Sequence, residues 1–166
     1  GRAALDIAPE MAGDDLRRRL DTWVADGVVE PSLRDAVGLV LDHPDWLRLE
    51  GRTVVVLGAA AEMGPLRSLL RWGATVAAVD LPRPELWGRL LDDTAGSAGR
   101  VLVPATPGTS PLAERAGVDL IGGLPTATGW VCGLPGQLVL GNYVYADGAT
   151  NVRVITAVDA MTRLVR

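Results

Sequence analysis

The residues of this chain that could do chemistry gather at two places. The first is the turn Gly58-Ala59-Ala60-Ala61-Glu62-Met63-Gly64, set between the apolar run Thr53-Val54-Val55-Val56-Leu57 and a segment opened by Pro65. Gly58 can take a tight turn, and Gly64 lets backbone approach a ligand or the sheet closely. Pro65 suits the first position of a helix, where its missing N–H costs nothing. The free N–H groups of such a helix end can hold a pyrophosphate. Asp80 ends the next apolar run, Thr75 to Val79, about 20 residues beyond Gly58, where an acid accepts from a ribose hydroxyl. The second place is Gly141-Asn142-Tyr143-Val144-Tyr145-Ala146-Asp147-Gly148, which holds both tyrosines of the chain. On a strand Tyr143 and Tyr145 share one face. There, either can donate a proton or contact a substrate; equally, the two can pack as an aromatic pair on the sheet ahead of the Asp-Gly turn.

Strands and helices must position these residues. The Val/Leu run from Thr53 to Leu57, bounded by Arg52 and Gly58, reads as a strand buried on both faces and therefore parallel to its neighbours. A helix over 65–72, a strand over 75–79 and a helix over 84–95 follow, the last entered through Pro82 and Pro84. Val101-Leu102-Val103 is a third strand. A Pro/Thr/Ser/Gly loop from Pro104 to Pro111 and a short helix at 111–116 lead to a fourth strand at 118–121. Gly122 to Gly136 carries too many breakers to assign. Leu138 to Tyr145 has strand character, Asp147-Gly148 turns, and 150–165 is helical.

Ahead of this part, Leu16, Leu20, Trp23 and Val24 recur at helical spacing, and Asp26-Gly27 ends that helix. A second helix starts at Pro31-Ser32, with Ser32 and Asp35 placed as a capping pair, and stops at His43-Pro44. Residues 1–13 read as loose. The expected organisation is a helical hairpin in 1–50 and an α/β nucleotide-binding domain in 51–166. With the strands ordered 3-2-1-4, the open side of the fourth needs a cover. The strand at 138–145, a missing C-terminal half or a partner chain would supply it. A homo-oligomer or a part of a larger protein is expected over a free monomer.

The strand–turn–helix–strand unit from Arg52 to Asp80 resembles Rossmann-type nucleotide-binding domains, most closely those of the short-chain dehydrogenase/reductase group. The fold class this implies is α/β, a Rossmann-like parallel sheet of order 3-2-1-4, which follows the N-terminal helical hairpin read from residue spacing. The resemblance spans roughly 52–160. In that family the first turn has glycines at relative positions one, five and seven; Gly58 and Gly64 match the first and last, and Glu62 stands at the middle one. A carboxylate beside a pyrophosphate is unfavourable unless it turns away or meets a cation. The resemblance implies a cofactor site of Gly58, Ala59, Ala60, Met63 and Gly64, with Asp80 and Leu81 at the ribose. It also implies that Gly122, in Gly117-Val118-Asp119-Leu120-Ile121-Gly122-Gly123, lines the nicotinamide side. Asp80 would favour NAD over NADP, and Arg83 nearby would weaken that preference. The family's catalytic Ser and Tyr-x-x-x-Lys have no counterpart, because the chain has no lysine and its 16 basic residues are all arginine. Tyr143 and Tyr145 are the remaining catalytic candidates.

Three functions follow. One is a reductase-like domain binding NAD, with hydride transfer as its chemistry. Another is a domain like the S-adenosylmethionine-dependent methyltransferases, which also use a glycine turn after the first strand and a ribose-holding acid after the second. The Gly58-to-Gly73 spacing fits this too, although Val56-Leu57 stands where an acid often precedes the first glycine. The third is a non-catalytic scaffold or interaction module.

Composition narrows the field. At 166 residues, 48% of them hydrophobic, the chain suffices for one domain with a core and a small appendage. A net charge of −4 argues against a nucleic-acid surface. No 18-residue apolar stretch occurs, so no membrane span is expected. The single Cys132 excludes an internal disulfide framework and fits a reducing cytoplasm. Abundant Ala, Gly, Arg and Val suggests a GC-rich bacterial genome. With one His and one Cys, the usual zinc ligand sets are out of reach, so no metal is expected. His43 reads as a solvated or capping residue, Cys132 as a small core residue, and Trp72 and Trp87 as packing residues.

Overall fold

The computed structural model describes residues 11–49 and 51–165; most of the segment read as loose, and the boundary residue at position 50, lie outside them. The chain divides into two compact units, Gly1–Leu47 and Arg48–Arg166.

In the first unit α1 (Gly13–Ala25) and α2 (Pro31–Asp42) form a hairpin, followed by a 3-10 turn at Pro44–Leu47. Leu20 is buried between the helices, and the Arg17 guanidinium reaches Asp42 at 2.7 Å. The capping pair expected at Ser32 and Asp35 does not form. Pro31 takes the first helical position, Glu30 becomes the N-cap, and Asp35 bonds the Arg34 guanidinium. Proline sets the helix start two residues earlier than a cap at Ser32 would. His43 stacks on Trp46 at 4.7 Å.

The second unit is a mixed α/β domain around an all-parallel, four-stranded open sheet. Its strands are β1 (Arg52–Leu57), β2 (Thr75–Val79), β3 (Arg100–Leu102) and β4 (Gln137–Asn142), in the spatial order β3-β2-β1-β4. Helices α3 (Leu66–Arg71), α4 (Pro84–Thr94), α5 (Leu112–Arg115), α6 (Leu124–Cys132) and α7 (Gly148–Leu164) complete it. The two sheet faces follow from the period of two. Val54 and Val56 pack with Leu66 and Leu70 of α3 and Trp87 and Leu90 of α4. Val55 and Leu57 pack with Ala127 and Val131 of α6 and Val154, Val158 and Met161 of α7. The continuous apolar run of β1 therefore serves two cores, as a central parallel strand requires.

The strand beside β1 is not the one expected. Segment 118–121 forms no strand, and β4 takes that place through the register Thr53↔Leu138 to Leu57↔Asn142. The reason is local. The Asp119 carboxylate accepts the N–H groups of Ile121 (2.9 Å) and Gly122 (3.2 Å), closing a turn where a ladder would need the backbone free. The glycine- and proline-rich stretch after it holds α6, with Pro125 in its first turn. Trp87 is wholly buried, whereas Trp72 is half-exposed. Cys132 is exposed at the end of α6 rather than in the core. Among the described residues no helix is long and apolar enough to cross a membrane.

Candidate functional site

The order β3-β2-β1-β4 contains one reversal: the chain moves from β1 outward to β2 and β3, then returns to the other side of β1 for β4. At such a reversal the loops leaving two neighbouring strands diverge and open a crevice beyond their carboxyl ends. Here a cleft of about 700 Å³ lies there, lined from the turn after β1, the end of β2, the 118–121 segment, the residues after β4 and the start of α7.

The turn after β1 is held at both ends. Gly58 has φ +79°, and a Cβ on it would lie 2.8 Å from the Tyr143 carbonyl oxygen and 2.9 Å from the Val144 nitrogen. Only glycine lets the turn lie this close to the strand-end backbone beside it. The N–H groups of Gly58 and Ala59 both donate to the Val79 carbonyl, at 2.9 and 3.1 Å. Asp80 then locks the turn from the side. Its Oδ2 accepts the Ala60 N–H and its Oδ1 the Leu81 N–H, each at 2.8 Å. Two of the roughly four acceptor positions of a carboxylate are thereby used, and two remain for hydroxyls.

The wall beside the end of β2 depends on Gly117. At φ +104° it brings backbone within reach of Trp87 and Pro82; a Cβ would meet Trp87 Nε1 at 2.5 Å and Pro82 Cα at 2.7 Å. The Val118 N–H then donates to the Asp80 carbonyl at 2.9 Å, which sets Val118 to Ile121 along the crevice. Beyond β4, the Tyr143 N–H donates to the Leu57 carbonyl at 2.8 Å. The strand ends at Asn142, so the two tyrosines do not share a strand face; they project from the loop that follows. Tyr143 lays its ring over Gly141, and Tyr145, 84% exposed, donates its hydroxyl to Asp147 at 3.2 Å. Both line the crevice.

Of the residues named from sequence, Gly58, Ala60, Met63, Asp80, Leu81, Tyr143 and Tyr145 meet at this cleft. Ala59 is buried and, with Gly64, lines a separate cleft between α3 and α4. Gly122 is absent from the lining, since its N–H is turned onto Asp119. Sequence reasoning missed Asp119 as a wall residue and the α7 contributions Thr150 and Val154. An Asp followed within four residues by two glycines was the available signal for a turn at Asp119.

The electrostatics of the lining are one-sided. Among the described residues it carries the carboxylates Glu62, Asp80 and Asp119, the hydroxyls of Tyr143, Tyr145 and Thr150, and no arginine or histidine. Arg83 stands outside it, at the N-cap of α4. The helix after the glycine turn, α3, has only 6 residues, and the Ala60 N–H in the turn is already bonded to Asp80. Among the described residues no group of three or more His, Cys, Asp and Glu could hold a metal ion. No family model matches the chain, nor does any curated protein or solved structure.

Proposed function

We propose that the α/β domain is a Rossmann-like nucleoside-cofactor domain and that its cofactor is a sulfonium nucleoside of the S-adenosylmethionine type. The observation that carries this reading is the charge of the crevice: a carboxylate fixed at the end of β2 with acceptor positions to spare, in a lining that has, among the described residues, two further carboxylates and no cation. The free acceptor positions of Asp80 suit ribose hydroxyls. Leu81, Val118 and Ile121 offer apolar surface for a base. Glu62 and Asp119 add negative charge suited to a cationic group. When bound, such a cofactor supplies an electrophilic methyl group.

The dinucleotide reading draws on the same Gly58 turn and the same Asp80, but it adds two phosphates. At roughly 6 Å each carboxylate–phosphate pair costs about 1–3 kcal/mol, at effective dielectric values between that of water and about 20, and the same distance favours a cation by as much. No lining cation offsets that cost, and a helix end as short as that of α3 is a weak anion site.

Calorimetric titration with S-adenosylmethionine, NADH and NADPH tests the reading. S-adenosylmethionine is expected to bind and NADH to bind weakly or not at all. Glu62→Arg is expected to weaken S-adenosylmethionine about tenfold and to strengthen NADH, both effects shrinking as salt is raised. Tighter binding of NADH than of S-adenosylmethionine by the unmodified chain would return the reductase-like reading. No binding of any of the three would leave the scaffold.

A further inference from the structure

The crevice has two sides of different chemistry. β2 and β4 flank β1 on opposite sides, so the residues leaving β2 and those leaving β4 stand two strand spacings apart, roughly 10 Å. All three lining carboxylates belong to the β1–β2 side. Glu62 lies in the turn and also borders the cleft between α3 and α4. Asp80 ends β2, and Asp119 is tied there because Val118 bonds the Asp80 carbonyl. The β4 side is made of Tyr143, Val144, Tyr145 and Ala146, with Thr150 and Val154 of α7. Its lining holds hydroxyls and apolar surface, and the nearest charged group, Asp147 in the same loop, lies outside the lining. Tyr145 hands its hydroxyl to Asp147, which leaves its ring as the exposed part. A volume of about 700 Å³ lies in the upper half of the range for small-molecule clefts.

We infer that the β4 side of the crevice binds a second ligand, a small uncharged aromatic molecule, next to the nucleoside. Its role as the partner of the cofactor rests on the sulfonium-nucleoside reading; its binding does not. An anionic molecule of the same shape would meet the carboxylates across the crevice with no cation to receive it. A neutral ring gains the faces of Tyr143 and Tyr145 and the apolar walls of Val144, Ala146 and Val154.

The probes are 2-naphthol, neutral at pH 7, and 2-naphthoate, the same ring bearing a carboxylate. Each is titrated into the full chain by fluorescence anisotropy, in parallel with calorimetry of S-adenosylmethionine. Saturable 2-naphthol binding is expected, with 2-naphthoate about tenfold weaker. Thr150→Trp, at an exposed position on the first turn of α7, fills the β4 side. It should weaken 2-naphthol roughly tenfold. Equal binding of the two naphthyl probes overturns the inference, as does 2-naphthol affinity that Thr150→Trp leaves unchanged. Binding of S-adenosylmethionine without 2-naphthol overturns it too, and the nucleoside reading then stands alone. Binding of 2-naphthol, sensitive to Thr150→Trp, without S-adenosylmethionine upholds the second site and removes the nucleoside reading instead.

Discussion

Removing the Asp80 carboxylate should loosen the glycine turn before any ligand is considered. Asp80 accepts the N–H of Ala60 across the turn and that of Leu81 beside it, both at 2.8 Å. A hydrogen bond to a charged group contributes about 1.5–3 kcal/mol net. The side chain is only partly buried, and water reaches the freed donors, so the lower end applies. Asp80→Ala is therefore expected to cost about 2 kcal/mol. Asp80→Asn keeps one acceptor oxygen but turns an NH2 group toward the other donor, so it should fall between wild type and alanine. In a chain of this length a loss of about 2 kcal/mol lowers Tm by about 4–8 °C. Urea denaturation followed by circular dichroism gives the global figure. Amide hydrogen exchange gives the local one, and the protection lost should concentrate at Ala60 and Leu81. On the proposed function, S-adenosylmethionine affinity should fall most in Asp80→Ala, which removes every side-chain acceptor, and less in Asp80→Asn, which keeps one oxygen. If Asp80→Ala stayed within about 0.5 kcal/mol of wild type, the range of an ordinary surface substitution, and protection at Ala60 were unchanged, the carboxylate would not be holding the turn.

Three further substitutions probe the frame around the crevice. Gly58→Ala puts a Cβ 2.8 Å from the Tyr143 carbonyl at a φ of +79°, so it should cost about 3 kcal/mol or more by equilibrium denaturation, strain and clash together. Gly117→Ala forces its Cβ against Trp87 Nε1 and should break the 3.0 Å bond from that nitrogen to the Leu81 carbonyl; a comparable loss, with an altered environment of the Trp87 indole N–H in NMR, is expected. Leu70→Ala empties a fully buried position under β1 and β2, so stability should drop by about 2–5 kcal/mol while binding to the folded fraction is retained.

How much of this was legible from the sequence depended on how local each signal was. β1 and β2 could be placed within a residue because each is a short Val/Ala/Leu run bounded by glycine, and a strand buried on both faces leaves no other pattern. The α7 helix, expected at 150–165 after the Asp147-Gly148 turn, runs Gly148–Leu164. What could not be read was which apolar segment would pair with β1. Both 118–121 and 138–142 have strand composition, and pairing is a long-range choice made by the whole domain. The deciding residue was Asp119, whose carboxylate takes two backbone donors that a strand would have needed. With 118–121 turned away, the strand beside β1 is β4, and the Tyr143–Tyr145 segment follows it in the loop beside the glycine turn rather than covering the sheet edge.

The same displacement bears on function. Had 118–121 paired with β1, the tyrosines would have stood one strand further from the Gly58 turn, and the crevice would have had two sides built from acidic, glycine-rich segments. With β4 in that position, the Tyr143 carbonyl presses on Gly58 itself, and an uncharged aromatic side faces the carboxylates across a single strand. The sign of the charge in the crevice was readable in part, since Glu62 and Asp80 both appear in the turn motif. Its completeness was not, because no inspection of sequence shows that every arginine among the described residues stays out of the lining. A cleft that negative favours a positively charged ligand over a phosphorylated one, by an amount that grows with each carboxylate desolvated at its wall.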